Sequence, residues 1–170
     1  ADPLASVAAV FAAGLSPGYV LKRPLIVDPC LDVVAPRINC HFVDRGNGAA
    51  ELAELHELAA TVSDSHVLGI FPEGWLASDI RRQRFLDRIA THDPPRAERL
   101  GALQHLLPPR TAGVAALLDG APHADVVFVW HIGFDGLSSV AASIRRLGNE
   151  APPCRVVFRR VPRSTVDDAA

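Results

Sequence analysis

Five residues in an unbroken row, Val67-Leu68-Gly69-Ile70-Phe71, stop abruptly at Pro72-Glu73-Gly74. The run is too short for a helix and has no polar alternation. It has the pattern of a strand buried on both faces, which requires helices above and below it. Helical patterns lie on either side. Ala49 to Val62 puts Leu52, Leu55, Leu58, Ala59 and Val62 on one face, with Glu51, Glu54 and Glu57 elsewhere. Ser78 to Ala90 reads as a polar helix capped by Ser78, and Thr111 to Leu118 as another, with Gly120 as its stop. Tyr19–Lys22, Cys40–Val43, Val126–Ile132 and Arg155–Val161 read as further strands. Asp2-Pro3 opens a first helix that Gly14 ends. Prolines 24, 29 and 36 leave room for at most a short helix around Cys30 to Ala35. Strand and helix thus alternate. The expected fold is α/β, a central, mostly parallel or mixed sheet flanked by helices.

At 170 residues, 49% of them hydrophobic, the chain is one domain's worth of sequence. A net charge of −2 gives no electrostatic reason to expect nucleic acid as partner. Cys30, Cys40 and Cys154 are an odd, scattered set with no CxxC, which argues against a disulfide framework or a zinc knuckle and for a reduced, intracellular chain. The apolar stretch Leu4 to Leu15 is too short to span a bilayer. No signal peptide is visible. The absence of Met and the abrupt start at Ala1 lead us to expect a piece of a longer protein.

In such a sheet, chemistry sits on loops at strand ends, and three stand out. The first is Phe42-Val43-Asp44-Arg45-Gly46-Asn47, where an arginine at a strand end precedes a helix N-terminus, a good geometry for a phosphate. Its plain alternative is a surface turn that caps the next helix. The second is Phe71-Pro72-Glu73-Gly74, which presents a carboxylate at the sheet edge beside a glycine that permits close backbone approach; the alternative is an ordinary strand-to-helix turn. The third, His105-Leu106-Leu107-Pro108-Pro109-Arg110, puts Arg110 just before a helix, or is simply a stiff connection with a solvated arginine. Among the histidines only His131, at a strand end, merits notice. A Cys40–His41 nucleophile is disfavoured because adjacent strand residues face opposite ways.

Taken together, Phe42-Val43-Asp44-Arg45-Gly46, then Ile70-Phe71-Pro72-Glu73-Gly74, then Leu106-Leu107-Pro108-Pro109-Arg110 resemble the motifs of the glycerophospholipid acyltransferase family, typified by 1-acylglycerol-3-phosphate and lysophospholipid acyltransferases. The order and spacing agree over roughly Asp2 to Val161. The family's first block is His, four residues, then Asp. Asp2 stands where that Asp would fall, and the His would lie upstream of the chain; a plain helix cap is the alternative for Asp2. The sequence departs from the family in carrying Trp75-Leu76 where Thr-Arg is usual, and in lacking a proline in Val127–Ile132.

The resemblance implies a single acyltransferase domain over 1–170, lacking its N-terminal part. It implies transfer of a fatty acyl group from acyl-CoA, or an acyl carrier protein, to the free hydroxyl of a lysophospholipid or glycerol phosphate. This serves phospholipid synthesis or remodelling at the cytoplasmic face of a membrane. Asp2 would orient the upstream His, the general base. Arg45 would hold the acceptor's phosphate, Glu73 and Gly74 would shape the acceptor pocket, and Arg110 would meet an anionic headgroup or the CoA phosphates. Neither a metal nor a resident cofactor is implied. The competing expectation is a catalytically degenerate lipid-binding module of the same fold. A generic nucleotide-binding domain is disfavoured by the lack of Gly-x-x-x-x-Gly-Lys and Gly-x-Gly-x-x-Gly strings.

Overall fold

The structure is a computed structural model, and it describes residues 2–27, 33, 35–44, 48–74, 78–104, 106–132 and 155–166. In chain order the elements are α1 (Asp2–Ala12), β1 (Ser16–Lys22), β2 (Cys40–Val43), α2 (Gly48–Ala60), β3 (His66–Ile70), α3 (Asp79–Ala90), α4 (Pro94–Gly101), α5 (Thr111–Gly120), β4 (Val126–Ile132) and β5 (Arg155–Val161). The fold is α/β, with a three-stranded parallel sheet flanked by helices.

The expected stop of α1 at Gly14 has a physical basis. Gly14 takes a φ of +74°, its N–H donates to the Phe11 carbonyl, and the Leu15 N–H donates to that of Val10. This pair of bonds satisfies carbonyls that the last helical turn leaves open, and the left-handed residue suits glycine. The chain reverses there and runs straight into β1, so α1 lies antiparallel to the strand it covers.

β1 sits in the middle of the sheet, in the order β2-β1-β3, and both neighbours run parallel to it. It is the most enclosed strand, buried from Pro17 through Leu21. On one face Tyr19 and Leu21 form a core with Ile38, joined by Val7 of α1 and by Cys40 and Phe42 of β2. The register sets Val20, His41 and Ile70 in one row on the other face. There Gly113 of α5 lies against Ile70 and against Leu55 of α2. β3 has a glycine opposite Tyr19 for a steric reason. A Cβ at Gly69 would come within 2.5 and 2.7 Å of the Tyr19 ring, which instead stacks on Phe71 at a centroid distance of 6.1 Å.

Two expectations need correction. β3 is half-buried rather than buried on both faces, because it is an edge strand. β4 and β5 do not join the central sheet; they pair with each other in a separate antiparallel ribbon, in register from Val126↔Val161 to Ile132↔Arg155. α5 does end at Gly120 as expected, although no positive φ marks that residue. The sequence reading also missed α4. Asp93 caps it by accepting from the Arg96 N–H, with prolines in its first turn, and Arg82 of α3 donates to the Gly101 and Leu103 carbonyls at its end. The Ser78 cap of α3 is as expected, accepting from the Arg81 N–H. Most of the Cys30–Ala35 stretch lies outside the described residues, as do Cys30, Cys154 and the loop residues 45–47.

Candidate functional site

The chain passes from β1 outward to β2, then returns past β1 to β3. The connections therefore diverge at β1, and a crevice opens beyond the carboxyl ends of the parallel strands at such a point. Lys22 and Arg23 leave β1 at this edge, Asp44 leaves β2, and Phe71 to Gly74 leave β3. An ion pair of 3.6 Å between Arg23 Nε and Asp44 Oδ2 spans the first two exits.

Two of the three loops singled out in the sequence meet here. Phe71–Gly74 is a tight turn in which the Gly74 N–H donates to the Phe71 carbonyl at 3.0 Å. Gly74 has a φ of +67°, a conformation that excludes most side chains. The loop from Leu106 to Arg110 is fastened to this turn at two points. The Leu107 N–H donates to Glu73 Oε2 at 2.9 Å, and the Arg110 N–H donates to the Pro72 carbonyl at 2.9 Å. Leu107 is the anchor, only 1% exposed. Arg110 follows at the N-cap position of α5 in extended conformation, its side chain exposed and making no hydrogen bond to the helix start.

The structure thus brings Glu73, Gly74 and Arg110 together. It gives the Glu73 carboxylate a definite task, which is to accept a backbone N–H from the other loop. Asp2 begins α1, whose antiparallel course carries that end toward the same carboxyl edge; its side chain, like all of Arg45, lies outside the described residues. So do Trp75, Leu76, His105 and the His131 side chain. Lys22 and Arg23 were not candidates in the sequence. Two basic residues at a strand end before Pro24 were the signal, and only the strand order shows that the strand is central.

The other groups do little here. Cys40 and His41 face opposite sides of the sheet, as their partners Tyr19 and Val20 require. Burial pushes the Cys40 thiol up, and a hydrogen bond with the Tyr19 backbone only partly opposes this, so the thiolate form is disfavoured. His41 Nε2 is enclosed, 3.4 Å from Glu54 Oε2 of α2, a contact across the sheet–helix interface. Among the described residues no group of three or more His, Cys, Asp or Glu side chains is placed to hold a metal ion, and no helix is long and apolar enough to cross a membrane.

The fastening of the two loops predicts a graded response at Glu73. Glu73→Ala leaves the Leu107 N–H without its acceptor and should cost about 1–3 kcal/mol. Glu73→Gln keeps an oxygen in place and should cost less than about 1 kcal/mol. Urea denaturation gives both values. Amide exchange at Leu107 should accelerate in the alanine variant alone.

No protein-family model, no curated protein and no solved structure matches the chain significantly.

Proposed function

We propose that the chain is the acyl-transferring domain of a glycerophospholipid acyltransferase, acting at the cytoplasmic face of a membrane in phospholipid synthesis or remodelling. The donor is acyl-CoA or an acyl carrier protein; the acceptor is a lysophospholipid or glycerol phosphate. The observation that supports this reading most is the meeting of the Phe71–Gly74 turn and the Leu106–Arg110 loop at the carboxyl edge of the parallel sheet. These two motifs are distant in sequence and have no local reason to touch.

An alcohol is a poor nucleophile at neutral pH. In the proposed reaction a histidine upstream of Asp2 takes the acceptor's hydroxyl proton as the oxygen attacks the thioester carbonyl carbon. The tetrahedral adduct collapses, the C–S bond breaks, and the sulfur leaves with the proton held by the imidazolium. Asp2 orients that imidazole. Arg45 binds the acceptor's phosphate and so places its hydroxyl. Gly74 lets the backbone approach the acceptor, Glu73 holds the pocket wall in shape, and Arg110 meets an anionic group of headgroup or donor.

The test is a chain extended upstream to include the histidine, assayed with acyl-CoA and lysophosphatidic acid or glycerol phosphate. The extended chain should turn over and the 170-residue chain hardly at all. Arg45→Ala in the extended chain should lower kcat/KM by about 10²-fold or more. Undiminished turnover in that variant removes Arg45 from the mechanism. An extended chain that binds the acceptor without turnover favours the degenerate lipid-binding module, to which Trp75-Leu76 in place of the usual Thr-Arg also points.

A further inference from the structure

The β4–β5 ribbon is the least satisfied part of the described structure. A two-stranded sheet has little stability of its own in water, yet this one, which meets α1 along β5, exposes large apolar side chains on both faces. On one, Phe128 is 58%, Trp130 44% and Ile132 57% exposed. On the other, Val127, Val129 and Phe158 are also exposed.

Among the described residues the ribbon's unpaired charges lie on one face. Arg159 lies directly across from Phe128, and Arg155 across from Ile132, so both arginines share the face with Trp130. Phe128, Trp130, Arg159 and Val161 line an open groove of about 490 Å³. Among the described residues no carboxylate belongs to this face. Asp125, just before β4, is engaged with Arg160 of the reverse side. It accepts from Arg160 Nε at 2.6 Å and from the Arg163 N–H at 2.8 Å, which holds its carboxyl below the usual range. Among the described residues Arg155 and Arg159 make no ion pair.

We infer that this ribbon docks on the surface of an anionic phospholipid bilayer, with Trp130 and Phe128 at headgroup depth and Arg155 and Arg159 against lipid phosphates. Aromatic rings with a polar edge and arginines with long apolar stems suit that boundary. Exposed apolar residues on both faces favour a medium that can surround the ribbon over a partner that covers one side. A second copy stacked on the same face would set arginine against arginine. A stacked single-stranded nucleic acid would leave Val127, Val129 and Phe158 in water, and the chain's net charge of −2 does not attract one. The inference deepens the proposed function by naming the surface that meets the membrane.

The test is sedimentation of the whole chain with phosphatidylcholine vesicles, with and without about one-quarter phosphatidylglycerol. Binding should require the anionic lipid. Arg159→Glu should weaken it by about thirtyfold, and Trp130→Ala by about tenfold or more, with unchanged thermal midpoints. Arg84→Glu, an exposed charge reversal on α3, should have no such effect. Equal binding to neutral vesicles, wild-type binding by both ribbon variants, or no binding at all overturns the inference. So does a dimer or an oligonucleotide complex that the same two variants abolish. Vesicle binding needs no turnover, so activity without ribbon-dependent binding counts against this inference alone. Binding without activity counts against the acyltransferase reading alone.

Discussion

Replacing Leu107 with Ala should destabilise the protein by about 2–5 kcal/mol, although the residue sits in a loop. At 1% exposure its side chain is as enclosed as any in a helix core, and truncation leaves a cavity that the proline on its C-terminal side resists closing. A urea slope of about 2 kcal/mol per M turns that loss into a fall of about 1–2 M in the midpoint. The neighbour supplies the control. Leu106 is 49% exposed, and Leu106→Ala should stay within about 0.5 kcal/mol of wild type. The damage should also travel. With its anchor gone, the loop loses its hold on Glu73 and on the Pro72 carbonyl, so amide exchange should quicken at Arg110 as well as at Leu107. Equal and small losses in the two leucine variants would mean that the loop is not seated as described. In the proposed function the same variant should lose acceptor binding before it loses fold, because Arg110 is positioned by this loop.

The Leu106-Leu107 pair illustrates what a sequence does and does not make legible. Local signals were readable wherever the cause was local. The Gly14 stop, the Ser78 cap and the bounds of β4 and β5 follow from nearby backbone chemistry and strand pattern, and the structure has them all. α4 was equally readable, since Asp93-Pro94-Pro95 is a helix start. Properties that depend on neighbours were not readable. An apolar run such as Val67 to Phe71 looks the same at a sheet's centre and at its edge, and only strand order separates them. Val126 to Ile132 has the composition of a central strand, but its seven partners are all in β5. At the site, residue types named Glu73, Gly74 and Arg110. That Glu73 accepts a backbone N–H from a residue 34 positions away leaves no trace in composition or spacing. The basic pair Lys22-Arg23 gains meaning only because β1 is central.

The same limit gives Gly120→Ala the opposite sign from the one helix propensity assigns. Gly120 is the last residue of α5, and at an ordinary helical position the change would gain up to about 1 kcal/mol. Here α2 crosses directly over it. A Cβ at position 120 would fall on the His56 carbonyl oxygen and 2.9 Å from the Ala59 Cβ. Neither can yield, since one is helix backbone and the other is a buried residue fixed to it, so the two helices must move apart. That separation disturbs the contacts of Gly113 with Leu55 and with Ile70, where α5 meets α2 and the sheet. The expected cost is about 1–3 kcal/mol, the range for an overfilled core. Gly101, at the end of α4, is the comparison. A Cβ there meets nothing within 4 Å, so Gly101→Ala should be neutral or stabilising by up to about 1 kcal/mol. Thermal or urea unfolding of the two variants side by side decides the matter. Two glycines at helix ends that respond alike would refute the close crossing, and with it the reading of Gly120 as a contact residue.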